Sequence, residues 1–199
     1  MEKIRKYTLL TTLCVILIIP IFFGIYIEYL YVRNLNLFVI LILLFSMLML
    51  LLIGKLIGIY GYDNESIEKM RKHDVIEALI NKTNKLRLWL FFPIIMVIEE
   101  LIFRYYCIGF LINQIDLDVI SAIVISSLIF SLFHIHLWFS YKNFRILLIN
   151  LSYSFLLGLF NGYIFITLGL FPCIGIHYAL AILLYYEIYR KNFKNKILK

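Results

Sequence analysis

Two adjacent carboxylates and a guanidinium, Glu99, Glu100 and Arg104, interrupt the apolar run LWLFFPIIMVIEELIFRYYCIGFLI from Leu88 to Ile112. A full charge at the centre of a membrane helix costs about 2.5–3.5 kcal/mol, so three cost about 8–10 kcal/mol. The Leu, Ile, Val and Phe residues of the run return about 0.3–0.6 kcal/mol each, which leaves the segment near balance and in need of polar partners on neighbouring helices. A helix advances about 100° per residue, so Glu100 and Arg104 share a face and form the natural ion pair. Glu99 points a quarter-turn away, with no counter-charge in its own helix. A carboxylate so placed can hold or give up a proton for general acid or base work. The alternative is a polar knot whose role is only structural.

Two histidines extend the set. His134 lies in SLIFSLFHIH, one turn after Phe130 on the same face, and His177 lies in GIHYALAI. Alone, either would read as a satisfied core residue. Their distances in sequence from basic residues give depths compatible with Glu99, which points to one polar cavity opening toward the cytoplasm. His136 follows His134 at a two-residue offset and falls on roughly the opposite face, at the interface. His73 belongs to a connecting loop and reads as solvated. Cys14, Cys107 and Cys173 show no paired spacing, so neither a disulfide frame nor a thiolate metal site is expected, and they read as apolar fillers.

The elements that must position these groups are transmembrane helices. The chain has 199 residues, 63% hydrophobic and 16% charged, with mean hydropathy +0.95, too apolar for a soluble core of this size. The expected fold is all-α, a single polytopic membrane domain over 1–199 with six spans: Tyr7 to Val32, Leu37 to Tyr60, Leu88 to Ile112, Leu117 to Phe139, Ile146 to Leu168 and Pro172 to Tyr189. The first is long and lacks a small-residue cleavage site near Tyr31, so it reads as a retained helix. Pro20 and Pro93 should bend their helices or free a carbonyl, and Pro172 suits a first turn. Gly158 and Gly162 form a G-x-x-x-G pair, which packs the fifth span inside the bundle. Between spans two and three, the loop 61–87 holds an amphipathic stretch from Asn64 to Asn81 that reads as one interfacial helix starting at Asn64.

The net charge of +7 is an orientation signal. Basic residues gather before span one (Lys3, Arg5, Lys6), between spans two and three (Lys69, Arg71, Lys72, Lys82, Lys85, Arg87), between four and five (Lys142, Arg145), and after span six (Arg190, Lys191, Lys194, Lys196, Lys199). The opposite loops hold Arg33 with Asp116 and Asp118. Both termini are therefore expected in the cytoplasm. Acidic residues interleave with the basic ones in the 61–87 loop, so no nucleic-acid partner is expected.

The ordered set E-E-x-x-x-R at Glu99, Glu100 and Arg104, F-x-x-x-H at Phe130 and His134, and a later lone His177 resembles the CPBP family of intramembrane proteases, also called the Abi or CAAX-processing type II family. The resemblance covers about 89–189. It implies an endopeptidase acting on a membrane polypeptide, lipidated or not, in prenyl-protein processing or bacteriocin self-immunity, in a bacterial cytoplasmic membrane. By position it implies Glu99, Glu100, His134 and His177 as catalytic residues. Glu99 and His134 would activate water, His177 would steady the oxyanion, and Arg104 would pair with Glu100. The family has been described both as metalloproteases and as metal-free enzymes, so Glu99, His134 and His177 are either zinc ligands or a metal-free water site, and Zn2+ stays undecided. The family's last motif is usually H-x-x-x-N, whereas Ala181 stands here. Asn161 or Tyr178 are the residues whose type could replace that donor. Ala181 also motivates a competing reading, a non-catalytic immunity or scaffold protein. A proton-relay transporter is a third class, but no inverted repeat is visible.

Overall fold

A computed structural model describes residues 2–31, 35–81 and 87–194 of the chain. Val32, Arg33, Lys82, Lys85, Lys196 and Lys199, used above for spans and charge, lie outside them. Among the described residues all regular structure is helical, in agreement with the expected all-α bundle. Among the described residues five helices are long and apolar enough to cross a membrane: Arg5–Phe22, Leu37–Gly61, Val119–Tyr141, Phe144–Leu168 and Leu170–Phe193. The remaining expected span is a continuous helical ribbon over 87–113. It comprises a π-helical turn Arg87–Phe91, α5 Phe92–Glu100, a π-helical stretch Leu101–Ile108 and α6 Gly109–Asn113. Its three charges set it apart from the other five.

The most buried of the five is α9, Phe144–Leu168. It packs chiefly on α7, Val119–Phe133, and next on α10, Leu170–Tyr189. The glycine pair explains the approach to α7. A Cβ at Gly158 would lie 2.9 Å from Ser127 Cβ, and one at Gly162 would lie 2.7 Å from Ile123 Cγ2. Ser131 Oγ then donates across the interface to Leu151 O at 2.7 Å. Gly169, with φ 87°, turns the chain from α9 into α10, and a side chain there would strike the Leu30 backbone at 2.8 Å.

Three boundaries depart from the sequence reading. The first helix, α1 Glu2–Phe22, stops two residues after Pro20, well short of Val32. Gly24 and Tyr26 adopt positive φ, and the following turn seats Tyr29 against Phe165 at 5.2 Å. After α2, Leu37–Leu56, the segment read as one helix from Asn64 is two, α3 Asn64–Met70 and α4 Asp74–Asn81. The cap is Asp63, whose carboxylate accepts from Ser66 N at 2.8 Å. In one straight helix Met70 and Ile76 would project about 120° apart. The break at 71–73 lets both be buried, at 1% and 0% exposure. In the fourth span α7 ends at Phe133, and after a turn at His134 and Ile135 the short α8, His136–Tyr141, continues.

Ion pairs Lys6–Asp74 at 2.8 Å and Arg145–Asp63 at 3.3 Å fasten α3 and α4 to the bundle. Tyr62, Met70, Ile76, Ile146 and Ile188 pack together beneath them. Lys6, the α3–α4 pair, the α8–α9 connection and the end of α10 therefore share one end of the molecule.

Because Gly158 faces Ser127 backbone as well as its side chain, Gly158→Val should lower stability by about 1–3 kcal/mol, the usual cost of overpacking. Thermal unfolding of the two proteins in the same detergent checks this.

Candidate active site

Pro93 stands in the first turn of α5. It offers no N–H to the carbonyls one turn before it, and Leu88 O instead accepts from Tyr178 Oη at 3.0 Å. This is the freed carbonyl expected of an intramembrane proline. It also engages Tyr178 at the helix start and so takes it out of the role of replacement donor. Beyond Glu100 the ribbon widens into the π-helical stretch, a geometry often found at functional sites. Arg104 Nε still reaches Glu100 Oε2 at 3.3 Å.

Glu100 is completely buried and is surrounded by donors from three helices. Asn161 Nδ2 of α9 donates to Oε1 at 3.0 Å, and His177 Nδ1 of α10 donates to the same oxygen at 2.5 Å. Cys173 Sγ, one turn before His177, donates to Oε2 at 2.8 Å and also lies 3.3 Å from Asn161 O. Asn161 thus serves Glu100, not a vacant place next to His177. Cys173 is no apolar filler. Its four-residue spacing from His177 was the available sequence signal, masked by the usual behaviour of lone intramembrane cysteines.

Glu99 is buried on the other side of the ribbon, with Oε2 3.8 Å from His177 Nε2. It lines a cavity of about 470 Å³ together with His134, His177, Phe130, Ser154 and Ala181. The tautomers follow from the partners. Glu100 accepts from His177 Nδ1, and Phe130 O accepts from His134 Nδ1 at 2.9 Å. An acceptor fixes the proton on Nδ1, so in the neutral ring Nε2 carries the lone pair. His134 can do this because its own N–H bonds Ser131 O as α7 ends, which releases Phe130 O. Ala181 forms cavity wall with a methyl group where the family pattern has a carboxamide.

The structure thus gathers Glu99, His134 and His177 around one cavity, and Glu100 with Arg104 behind it. His136 borders the same cavity from an exposed position, with Nδ1 on Phe133 O at 2.8 Å. His73, expected in solvent, is half-buried at the cavity mouth and stacks on Tyr185 at 4.3 Å. Among the described residues no group of three His, Cys, Asp or Glu side chains converges closely enough to hold a metal ion. Glu99, His134 and His177 are thus not drawn together as such a group in this arrangement.

A family model described as Type II CAAX prenyl endopeptidase Rce1-like matches residues 82–183, just over half of the chain, including every residue of this site. No curated protein and no solved structure matches the chain.

The two glutamates should separate in stability. Glu100→Gln leaves the Arg104 charge buried and unpaired, a loss of about 3–5 kcal/mol, while Glu99→Gln should cost less than about 1 kcal/mol. Melting curves in one detergent distinguish them. A pH dependence follows from His73. Burial, with a smaller contribution from Lys6, pushes its pKa down to about 4. Its Nδ1 accepts from Val75 N at 3.3 Å, which only the unprotonated nitrogen can do. The folded state prefers neutral His73, so this contribution is complete above the unfolded value of about 6.5 and is lost as pH falls toward 4. Melts at pH 7.5 and 4.5 should show a larger acid drop in the native protein than in His73→Phe.

Proposed function

Because the chain belongs to the Type II CAAX prenyl endopeptidase Rce1-like family, we propose that it is an intramembrane endopeptidase that hydrolyses a peptide bond in a membrane-embedded or lipidated polypeptide. The observation that carries this reading is the shared cavity of Glu99, His134 and His177, backed by the buried Glu100–Arg104 ion pair. Water held between Glu99 and His134 Nε2 loses a proton to Glu99 as its oxygen attacks the scissile carbonyl carbon. His177, steadied by Glu100 at Nδ1, can donate Nε2–H to the oxyanion in its imidazolium form. Glu99 then passes its proton to the leaving amine as the C–N bond breaks. Ala181 offers no donor, so oxyanion stabilisation falls more heavily on His177. One such donor is worth about 10²–10³ in rate.

The basic residues at the end that holds Lys6, α3 and α4 support a cytoplasmic placement for that end and both termini, in a bacterial cytoplasmic membrane. The cavity mouth, lined by Lys6, Lys72, His73 and Asp74, then admits substrate from the cytoplasmic side. Prenyl-protein processing and bacteriocin self-immunity are the two settings that the family brings. Ala181 supports a second reading, a non-catalytic immunity or scaffold protein that keeps the buried charges for structure.

Quantitative mapping of peptide ends in membrane proteins, from matched cells expressing native protein or Glu99→Gln at equal levels, decides between them. Cleavage ends found only with the native protein are expected. Identical maps, with the cellular phenotype kept in the variant, would establish the binding role instead.

A further inference from the structure

Phe130 is 1% exposed and packs against Arg104, His134 and His177. Arg104 Cζ lies 4.1 Å from its ring centroid. Arg104 Nη1 and Nη2 are buried with no hydrogen-bond partner among the described residues, and the ring covers their guanidinium. Desolvation of this kind raises the strength of a cation–π contact. The same ring stands nearly perpendicular to both imidazoles, at 5.0 Å and 87° from His134 and at 5.7 Å and 88° from His177. Its backbone carbonyl accepts from His134 Nδ1. Phe103 closes the remaining side at 5.2 Å.

We propose that Phe130 is a positioning residue of this site. Its ring locks the Arg104 guanidinium, and with it Glu100, to both histidines, so that each imidazole keeps Nδ1 on its fixed acceptor and Nε2 free for the cavity. A ring flip of His134 would break the bond from Nδ1 to Phe130 O. A shift of His177 would press on the same ring. Arg104 cannot move away without leaving its charge uncovered. An aliphatic side chain of similar volume would fill the space but would offer no π face to the cation and no flat wall to the imidazoles.

The test replaces Phe130 in the full-length protein with 4-fluoro-, 3,5-difluoro- and 3,4,5-trifluorophenylalanine, which drain the ring face stepwise at nearly constant volume, and adds Phe130→Leu. Two readouts are taken. One is cleavage of an internally quenched farnesylated peptide, and this readout alone rests on the endopeptidase reading. The other is the 15N spectrum of the histidine rings at one neutral pH, which reports tautomers whether or not the protein cleaves anything. The expected result is a graded fall in kcat, on the order of tenfold across the series, the factor that about 1.4 kcal/mol of cation–π contact represents. KM stays constant, and a second tautomer emerges in Phe130→Leu at His134 or His177. A flat kcat across the series overturns the proposal and leaves the protease reading intact. If the native protein does not cleave this peptide, the spectra alone decide. One tautomer at both histidines in Phe130→Leu overturns the positioning role, and a mixture upholds it. If Phe130→Leu does not fold, the spectra are read on the trifluoro protein by the same criterion.

Discussion

A charge in the dry interior of a bilayer must find its partners within the protein, and the rest of this structure depends on how Glu100 and Arg104 do so. The pair itself closes along one helix at 3.3 Å, but a carboxylate has about four acceptor positions to fill. Asn161 from α9 and Cys173 and His177 from α10 fill them. Each of these donors fixes the depth and rotation of its helix relative to the ribbon. The Gly158 and Gly162 contacts let α7 come close enough to α9 for Phe130 to cover Arg104. Apolar packing alone specifies little in lipid, where tails are as apolar as leucine. Here the polar centre supplies the register, and small residues supply the approach.

The same constraint separates two neighbouring glutamates into different roles. Glu100 is fully buried with both oxygens engaged, which suits a fixed negative charge that orients an imidazole. Glu99, one residue earlier and a quarter-turn around, meets only His177 at 3.8 Å and faces the cavity. A carboxylate with one distant partner and room for water retains free acceptor positions. Adjacent residues of one type thus differ through what the surrounding helices bring to each face. His177 joins them, with one nitrogen on each carboxylate side.

Much of this was legible in the sequence where a single periodicity governed. Five of the six spans are unbroken apolar runs, and the Glu100–Arg104 pair needs only the helical repeat. The F-x-x-x-H spacing put Phe130 and His134 on one face, as found. What stayed hidden depended on partners distant in sequence. Cys173 and Asn161 acquire their roles only when α9 and α10 meet the ribbon. The break between α3 and α4 reflects two apolar surfaces that one straight helix cannot turn to the same floor. The early end of α1 required reading Pro20 together with Gly24 as a stop, whereas the residues to Tyr31 are apolar or aromatic apart from Gly24 and Glu28. His73 looked solvated because its own segment is polar, while the wall that buries it, Tyr185, belongs to α10.

The end of α7 at His134 joins structural need to chemistry. A helix that stops inside apolar surroundings leaves its last carbonyls without donors, and irregular backbone is tolerated at membrane depth only where protein or a cavity satisfies it. His134 and His136 meet that need with ring nitrogens, taking Phe130 O and Phe133 O. For His134 the cap has a second effect. By committing Nδ1 to a carbonyl, it leaves Nε2 as the one nitrogen able to address water in the cavity. A leucine at this position would strand the carbonyl, and a continued helix would use the carbonyl for backbone pairing and free the ring to take either tautomer. The broken helix therefore selects the reactive nitrogen, and the cost of breaking it is met by the same hydrogen bond that makes the selection.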